Sequence, residues 1–124
     1  STPIKSSAAS DVYKRQVVGI GYPNEKSAIM ATGYFKENEI DSLINRKVAG
    51  ELCMQFYDIK GDTSPYEDDN NVIGMDISKL RTVPRSIGIA GGIEKLRAIR
   101  GAINGHYINT LITDIQCAEA LISE

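Results

Sequence analysis

The chain has 124 residues, 42% of them hydrophobic and 24% charged, which is the make-up of one globular domain and excludes disorder as its default state. A net charge of −2 excludes bulk attraction to nucleic acid or anionic membrane, and no apolar run approaches the roughly 18 residues of a membrane-spanning helix. Cys53 and Cys117, 64 positions apart, and a single histidine fit no metal-ligand spacing, so no metal or cofactor is expected and the chain reads as a reduced, cytoplasmic domain.

Residues 1–16 stand apart. They carry four Ser, two Ala and a net charge of +2, leaving −4 for the other 108 residues, and they show no apolar period. The string SSAASDVYKRQ is similar to a translated sequencing adaptor, so residues 1–16 read as a disordered or non-native leader and 17–124 as the folded part. Val17–Ile20 reads as a buried strand ended by Gly21, Tyr22 and Pro23. Asn24–Thr32 has helix-forming composition and closes at Gly33. Glu37–Asn45 carries Ile40, Leu43 and Ile44 as the apolar stripe of a short helix, with acids in its first turns and Arg46 and Lys47 after its end, as the helix dipole favours.

Val48–Tyr57 alternates as a strand or hairpin arm. Gly61–Asn71 is a loop by composition, and its acidic run Glu67-Asp68-Asp69 reads as solvated. Val72–Met75 returns as a strand, and Ile77–Val83 supplies one or two helical turns before Pro84. Arg85–Ala90 is the next strand. Ile93–Asn104 is a helix with Ile93, Leu96, Ile99, Ala102 and Ile103 on its apolar face and Gly105 as the left-handed residue past its end. Ile108–Thr113 is a strand, and Thr113 or Asp114 caps a last helix with Cys117, Ala118, Leu121 and Ile122 on its apolar side. The final forty residues thus read β-loop-α-β-α. That order predicts an α/β fold with a parallel sheet, right-handed crossovers and both faces covered.

The chemistry concentrates at the strand–glycine–helix junction Ile87–Lys95. Gly91 and Gly92 let a ligand approach the backbone, the helix start offers unpaired N–H groups, and Lys95 brings an ammonium into the first turn. From Lys79 to Arg100 there are six basic residues and one acid, although Lys79, Arg81, Arg85, Arg97 and Arg100 read as a solvated face rather than as ligands. Ligands of open α/β sheets sit outside the carboxyl ends of the strands, where this junction lies. Gly19 and Gly21 repeat the logic at the end of the first strand. Glu51, where β-propensity does not favour an acid, suggests a polar role at a sheet edge or cleft. Asp114 reads as a helix cap and His106 as a surface residue.

The segments Lys47-Val48-Ala49-Gly50-Glu51-Leu52, Asn71-Val72-Ile73-Gly74, Leu80-Arg81 with Val83-Pro84-Arg85, Ala90-Gly91-Gly92 with Lys95 and Ala98-Ile99, and Ile108–Asp114 follow one another in a familiar order. From about Val17 to Glu124 the chain resembles the carboxyl-terminal part of the sugar-binding domain of SorC/DeoR-like bacterial transcriptional regulators. The resemblance implies a Rossmann-like three-layer parallel sheet of the sugar-phosphate isomerase-like type, truncated on its amino-terminal side. It implies a domain that senses a sugar or phosphorylated sugar, forms dimers or tetramers, has no membrane partner, and reaches DNA only through a helix-turn-helix that these 124 residues do not contain. Gly91, Gly92 and Lys95 match the family's effector segment, Glu51 matches an acid that hydrogen-bonds sugar hydroxyls, and Gly19 and Gly21 match a turn bordering the cleft. The chain departs from the family at Asn71, where a basic residue is usual, and at Ile115, where Glu is usual. It also has no counterpart of the family's Gly- and Ser/Thr-rich phosphate loop. No catalytic residue is expected. The alternative is a fragment of a sugar-phosphate isomerase or deaminase, with Glu51 or Asp114 as base and Lys95 as the anion stabiliser.

Overall fold

Alternation sets the architecture. Val18 and Ile20 of the first strand, β1 (Arg15–Gly21), are buried on one side, while Val17 and Gly19 face the other. The computed structural model describes residues 14–24, 31–33, 35–70 and 76–123. The expected helix over Asn24–Thr32 falls largely outside these residues, and the expected strand Val72–Met75 falls outside them entirely. β1 begins at Arg15, inside the segment set apart as a leader, because Arg15 and Gln16 extend the ladder opposite Arg85 and Ser86. Polar side chains at a strand's solvent-reaching start leave no apolar signal to mark it.

After β1 come α1 (Glu37–Asn45), the hairpin β2 (Gly50–Leu52) and β3 (Gln55–Tyr57), a 3₁₀ turn Ser64–Tyr66 leading into the single turn α2 (Glu67–Asn70), and a 3₁₀ helix Ile77–Thr82. Then follow β4 (Arg85–Ile89), a 3₁₀ turn Ile93–Lys95, α3 (Leu96–Asn104), β5 (Thr110–Ile112) and α4 (Ile115–Ile122). The sheet order is β3-β2-β1-β4-β5. The α/β class holds, but the sheet is mixed. β1, β4 and β5 run parallel, whereas β2 and β3 are antiparallel because a two-residue turn joins them. That turn, Cys53-Met54, is left-handed at both residues (φ 51° and 65°), where Asn-Gly is the usual choice.

One face of the sheet packs on α3 and α4 around Val18, Ile20, Leu52, Tyr57, Ala98, Ile99, Ala102 and Cys117. The other face is covered at the hairpin end, where Phe35, Ile40, Leu43, Val48, Phe56 and Tyr66 form a second cluster. Phe56 meets Phe35 edge-on at 5.3 Å and Tyr66 at 6.5 Å. Among the described residues nothing comparable covers β1, β4 and β5 on that side, and Val17, Ile89 and Ile112 stand 52%, 43% and 54% exposed. Ile40 and Leu43 are buried as expected, but Ile44 is exposed, and so is Ile122 of α4.

The stretch 61–70 is more ordered than its composition implies. Tyr66 is fully buried and its hydroxyl donates to Arg46 O at 2.7 Å. Asp69 is not simply solvated, since it accepts from the Arg46 guanidinium at 2.8 Å. Asn70 takes the Phe56 N–H at 2.7 Å and donates to the Phe56 carbonyl at 3.1 Å, so its amide imitates a neighbouring strand on the outer edge of β3.

α3 is rotated from the position its isoleucines suggest. Its buried residues are Ala98, Ile99, Gly101 and Ala102, while Ile93 and Ile103 are more than two-fifths exposed. Burying Ile99 contributes about 2 kcal/mol, but the small residues decide the approach. The Tyr57 hydroxyl donates to Ala98 O at 2.7 Å, inside the core. The helix closes in a Schellman pattern, with Tyr107 N donating to Ala102 O and His106 N to Ile103 O, both at 3.0 Å. The left-handed residue is His106 (φ 60°), not Gly105 (φ −79°). Gly105 is fixed by crowding instead, since a side chain there would run into the Tyr107 ring and Gly61.

A Cβ on Gly101 would lie 2.6 Å from both Asp58 O and Tyr57 Cε1. Gly101→Ala should therefore destabilise the chain by about 2 kcal/mol despite alanine's better helix propensity. Urea unfolding checks this, and a neutral or stabilising result would mean α3 does not approach the hairpin this closely.

Candidate functional site

The site forms where β1 and β4 end and β2 begins. Gly19 stands opposite Ile89, and Gly21 opposite Glu51. By the pleat, Gly19, Gly21 and Glu51 share one face, the side away from α3. Gly21 has to be small, because a Cβ there would collide with the Glu51 carboxylate. Gly19 has open space over it.

Glu51 is half-buried, and its Oε2 accepts from Met54 N at 2.9 Å across the left-handed turn. Burial pushes its carboxyl above the ordinary value, while the Met54 N–H and the positive charge of Lys95 pull it back. The Lys95 charge acting on Glu51 links the hairpin to the loop after β4, two regions 44 positions apart in sequence. Lys95 itself is half-buried at the end of the 3₁₀ turn Ile93–Lys95, and α3 starts at Leu96, three residues after the expected helix start at Ile93.

Gly92 has φ 98°, a conformation that favours glycine, and a side chain there would also meet the Glu94 carboxylate. Its N–H is not open to a ligand, because it donates to Asp114 Oδ2 at 2.7 Å. Lys95 N donates to the Gly92 carbonyl at 3.0 Å. The N–H groups that remain at the start of the 3₁₀ turn are those of Ile93 and Glu94. Gly91 is exposed and adopts no left-handed conformation.

Asp114 is the N-cap expected of it, accepting from Cys117 N at 2.8 Å. Its bond to Gly92 is the contact the sequence does not reveal, since nothing local to Asp114 points to a loop 22 positions earlier. The hydrogen bonds from Cys117 N and Gly92 N hold its carboxyl below the usual range. Cys117 is buried and its Sγ donates to Gly92 O at 3.3 Å, and burial pushes both cysteine thiols up, away from thiolate chemistry.

The basic residues around the glycines are not one solvated patch. The Arg81 Nε donates to Gly105 O at 2.8 Å and its guanidinium stacks 4.7 Å from the Tyr107 ring centre. Arg97 donates to Val48 O, and Arg100 to Ala120 O. These three tie backbone carbonyls rather than a ligand. A cavity of about 190 Å³ lined by Gly61, Asp62, Asp76, Arg81 and Tyr107 lies toward the amino ends of β4 and β5, away from Glu51 and Lys95. Among the described residues no three acidic, cysteine or histidine side chains gather as a metal site, and no helix is long and apolar enough to cross a membrane.

The sequence profile of Sugar-bind, a family of sugar-binding domains, matches residues 7–123. The chain belongs to this family. It is 39% identical over 106 residues to the sorbitol operon regulator of Klebsiella pneumoniae, covering 86% of this chain and 34% of that protein. It is 34% identical over 105 residues to the deoxyribonucleoside regulator of Bacillus subtilis, covering 85% of this chain and 33% of that protein. The full-length crystal structure of the Klebsiella regulator superposes with a TM-score of 0.68 at 35% identity, over 94% of this chain and 39% of that one. A DeoR family regulator from Listeria monocytogenes superposes with a TM-score of 0.76 at 25% identity, over 93% of this chain and 49% of that one. The chain thus spans about a third of the length of the curated relatives it matches.

Because burial raises the Glu51 carboxyl, its ionised form costs stability at neutral pH, and that cost fades as pH falls below the ordinary glutamate range. Glu51→Gln, whose amide oxygen can still accept from Met54 N, should melt about 2 °C higher than the parent near pH 7 and no higher at about pH 4. Thermal unfolding at the two pH values checks both signs.

Proposed function

We infer that this chain is the carboxyl-terminal part of the effector domain of a bacterial transcriptional regulator, and that the carboxyl edge of β1 and β4 receives a sugar or phosphorylated sugar. The observation that carries this is Glu51 seated against Gly21 at the carboxyl end of β1 and within electrostatic reach of Lys95, three residues from separate stretches of sequence. Lys95 and the N–H groups of Ile93 and Glu94 suit a phosphate. Glu51, partly desolvated and acceptor-only when ionised, suits sugar hydroxyls. Gly91 and Gly92 shape the turn, Gly19 leaves room for the ligand over β1, and Gly21 makes room for the Glu51 carboxylate.

The domain acts by a population shift. The effector binds one arrangement of a homo-oligomer better than another, and the difference in affinity is transmitted to a DNA-binding domain outside these 124 residues. The protein works in the cytoplasm, where phosphorylated sugars are found, and it does no chemistry on its ligand. Of the two carboxylates an enzymatic reading could use as base, Asp114 has both oxygens engaged by backbone N–H groups, and Glu51 has one oxygen taken by the Met54 N–H.

A full-length regulator carrying this segment, screened by thermal shift against pentose and hexose phosphates and the free sugars, should be stabilised by at least one of them. Lys95→Ala should weaken that ligand about ten-fold or more while leaving the unliganded melting temperature unchanged. If no sugar or sugar phosphate stabilises the protein, the sensing role is wrong.

A further inference from the structure

Gly92 has partners on both of its backbone polar groups. Its N–H donates to Asp114 Oδ2 at 2.7 Å, and its carbonyl accepts from Lys95 N at 3.0 Å and from Cys117 Sγ at 3.3 Å. The other oxygen of Asp114 takes the Cys117 N–H at 2.8 Å. One carboxylate therefore joins the loop after β4 to the loop after β5, and the Cys117 thiol closes the ring from the far side. Capping α4 needs only one acceptor, which Ser, Thr or Asn would supply equally well. The second oxygen has no capping role. It holds at φ 98° a glycine, the residue type with the greatest conformational freedom to lose.

Charge makes the choice of an acid here informative. A carboxylate beside a turn that receives an anion opposes that anion. An asparagine at position 114 would keep the cap and remove the repulsion. The geometry points to Asp114 as the positioning residue of the ligand site: it fixes the Gly91–Gly92 turn in the form that presents the Ile93 and Glu94 N–H groups and Lys95, so that the ligand does not have to order the turn itself. This rests on the ligand reading proposed above. A carboxylate accepts both N–H groups at short, charge-assisted distances, which neither Asn nor Ser can do from this position.

The two possible roles of Asp114 predict opposite signs. If it only caps α4, Asp114→Asn removes a repelling charge and inorganic phosphate binds more tightly. If it positions the turn, phosphate binds more weakly although the charge is gone. Amide hydrogen exchange and a phosphate titration followed by backbone amide NMR, on the parent chain, Asp114→Asn and Asp114→Ser, separate these. In both variants the Gly92 amide should exchange about ten-fold faster, the Cys117 amide should stay within about two-fold of the parent, and the phosphate dissociation constant should rise about five-fold or more. The retained Cys117 protection reports that α4 is still capped and folded. An unchanged Gly92 exchange rate, or phosphate binding as tight as in the parent or tighter, overturns the positioning role alone. If the parent chain's Ile93, Glu94 and Lys95 amides do not respond to phosphate, the ligand reading of the turn falls, and the positioning role falls with it.

Discussion

The contact between α3 and the β2–β3 hairpin sets most other distances in the molecule. Tyr57 reaches from β3 to the Ala98 carbonyl, and Gly50, Gly101, Ala98 and Ala102 keep the two backbones close. A larger residue at any of these positions would lift the helix. Lys95 is joined directly to the start of α3, and Glu51 is central to β2, so the height of the helix over the hairpin sets the separation of the two charged groups of the site. Core packing and the spacing of Glu51 and Lys95 are here one constraint.

The same arrangement works against stability locally. Glu51 is partly desolvated, and the turn beside it holds Cys53 and Met54 in left-handed conformations that cost of order 1 kcal/mol or more each. The Glu51 carboxylate offsets part of this by accepting the Met54 N–H. Away from the site the interactions are conventional: buried aromatics meet edge-on, Arg46 bonds Ser42 O, Pro65 O and Asp69, and Asp76 caps the 3₁₀ helix. Of the four left-handed non-glycine residues among those described, Cys53 and Met54 thus stand beside the proposed ligand site, while Lys47 and His106 end α1 and α3.

The fold was legible wherever large apolar residues alternate or recur with the period of the element. β1, β4, β5, α1 and the alternating Val48–Tyr57 stretch follow such patterns. It was illegible where small residues decide. The isoleucines of α3 suggest one face, but Ala98, Gly101 and Ala102 turn another to the core because the sheet comes too close for branched side chains. Gly105 looked like a left-handed terminator, and His106 fills that role because crowding from Tyr107 and Gly61 claims the glycine. The hairpin turn hides in Cys53-Met54, which carries none of the usual turn residues. At the site, Glu51 and Lys95 were visible from local pattern. The Asp114–Gly92 bond was not, because it joins two loops that only the folded sheet brings together.

Asn70 has a consequence for growth of the sheet. β3 is three residues long and lies at one end of the sheet order, and Phe56 is its central residue, whose N–H and C=O both point to Asn70. The outer border on that side is therefore already occupied by an amide that cannot itself be extended. β5, at the opposite end, has no such stopper among the described residues. Among the described residues, strand addition at the β3 border is thus blocked by a single side chain, and at the β5 border it is not.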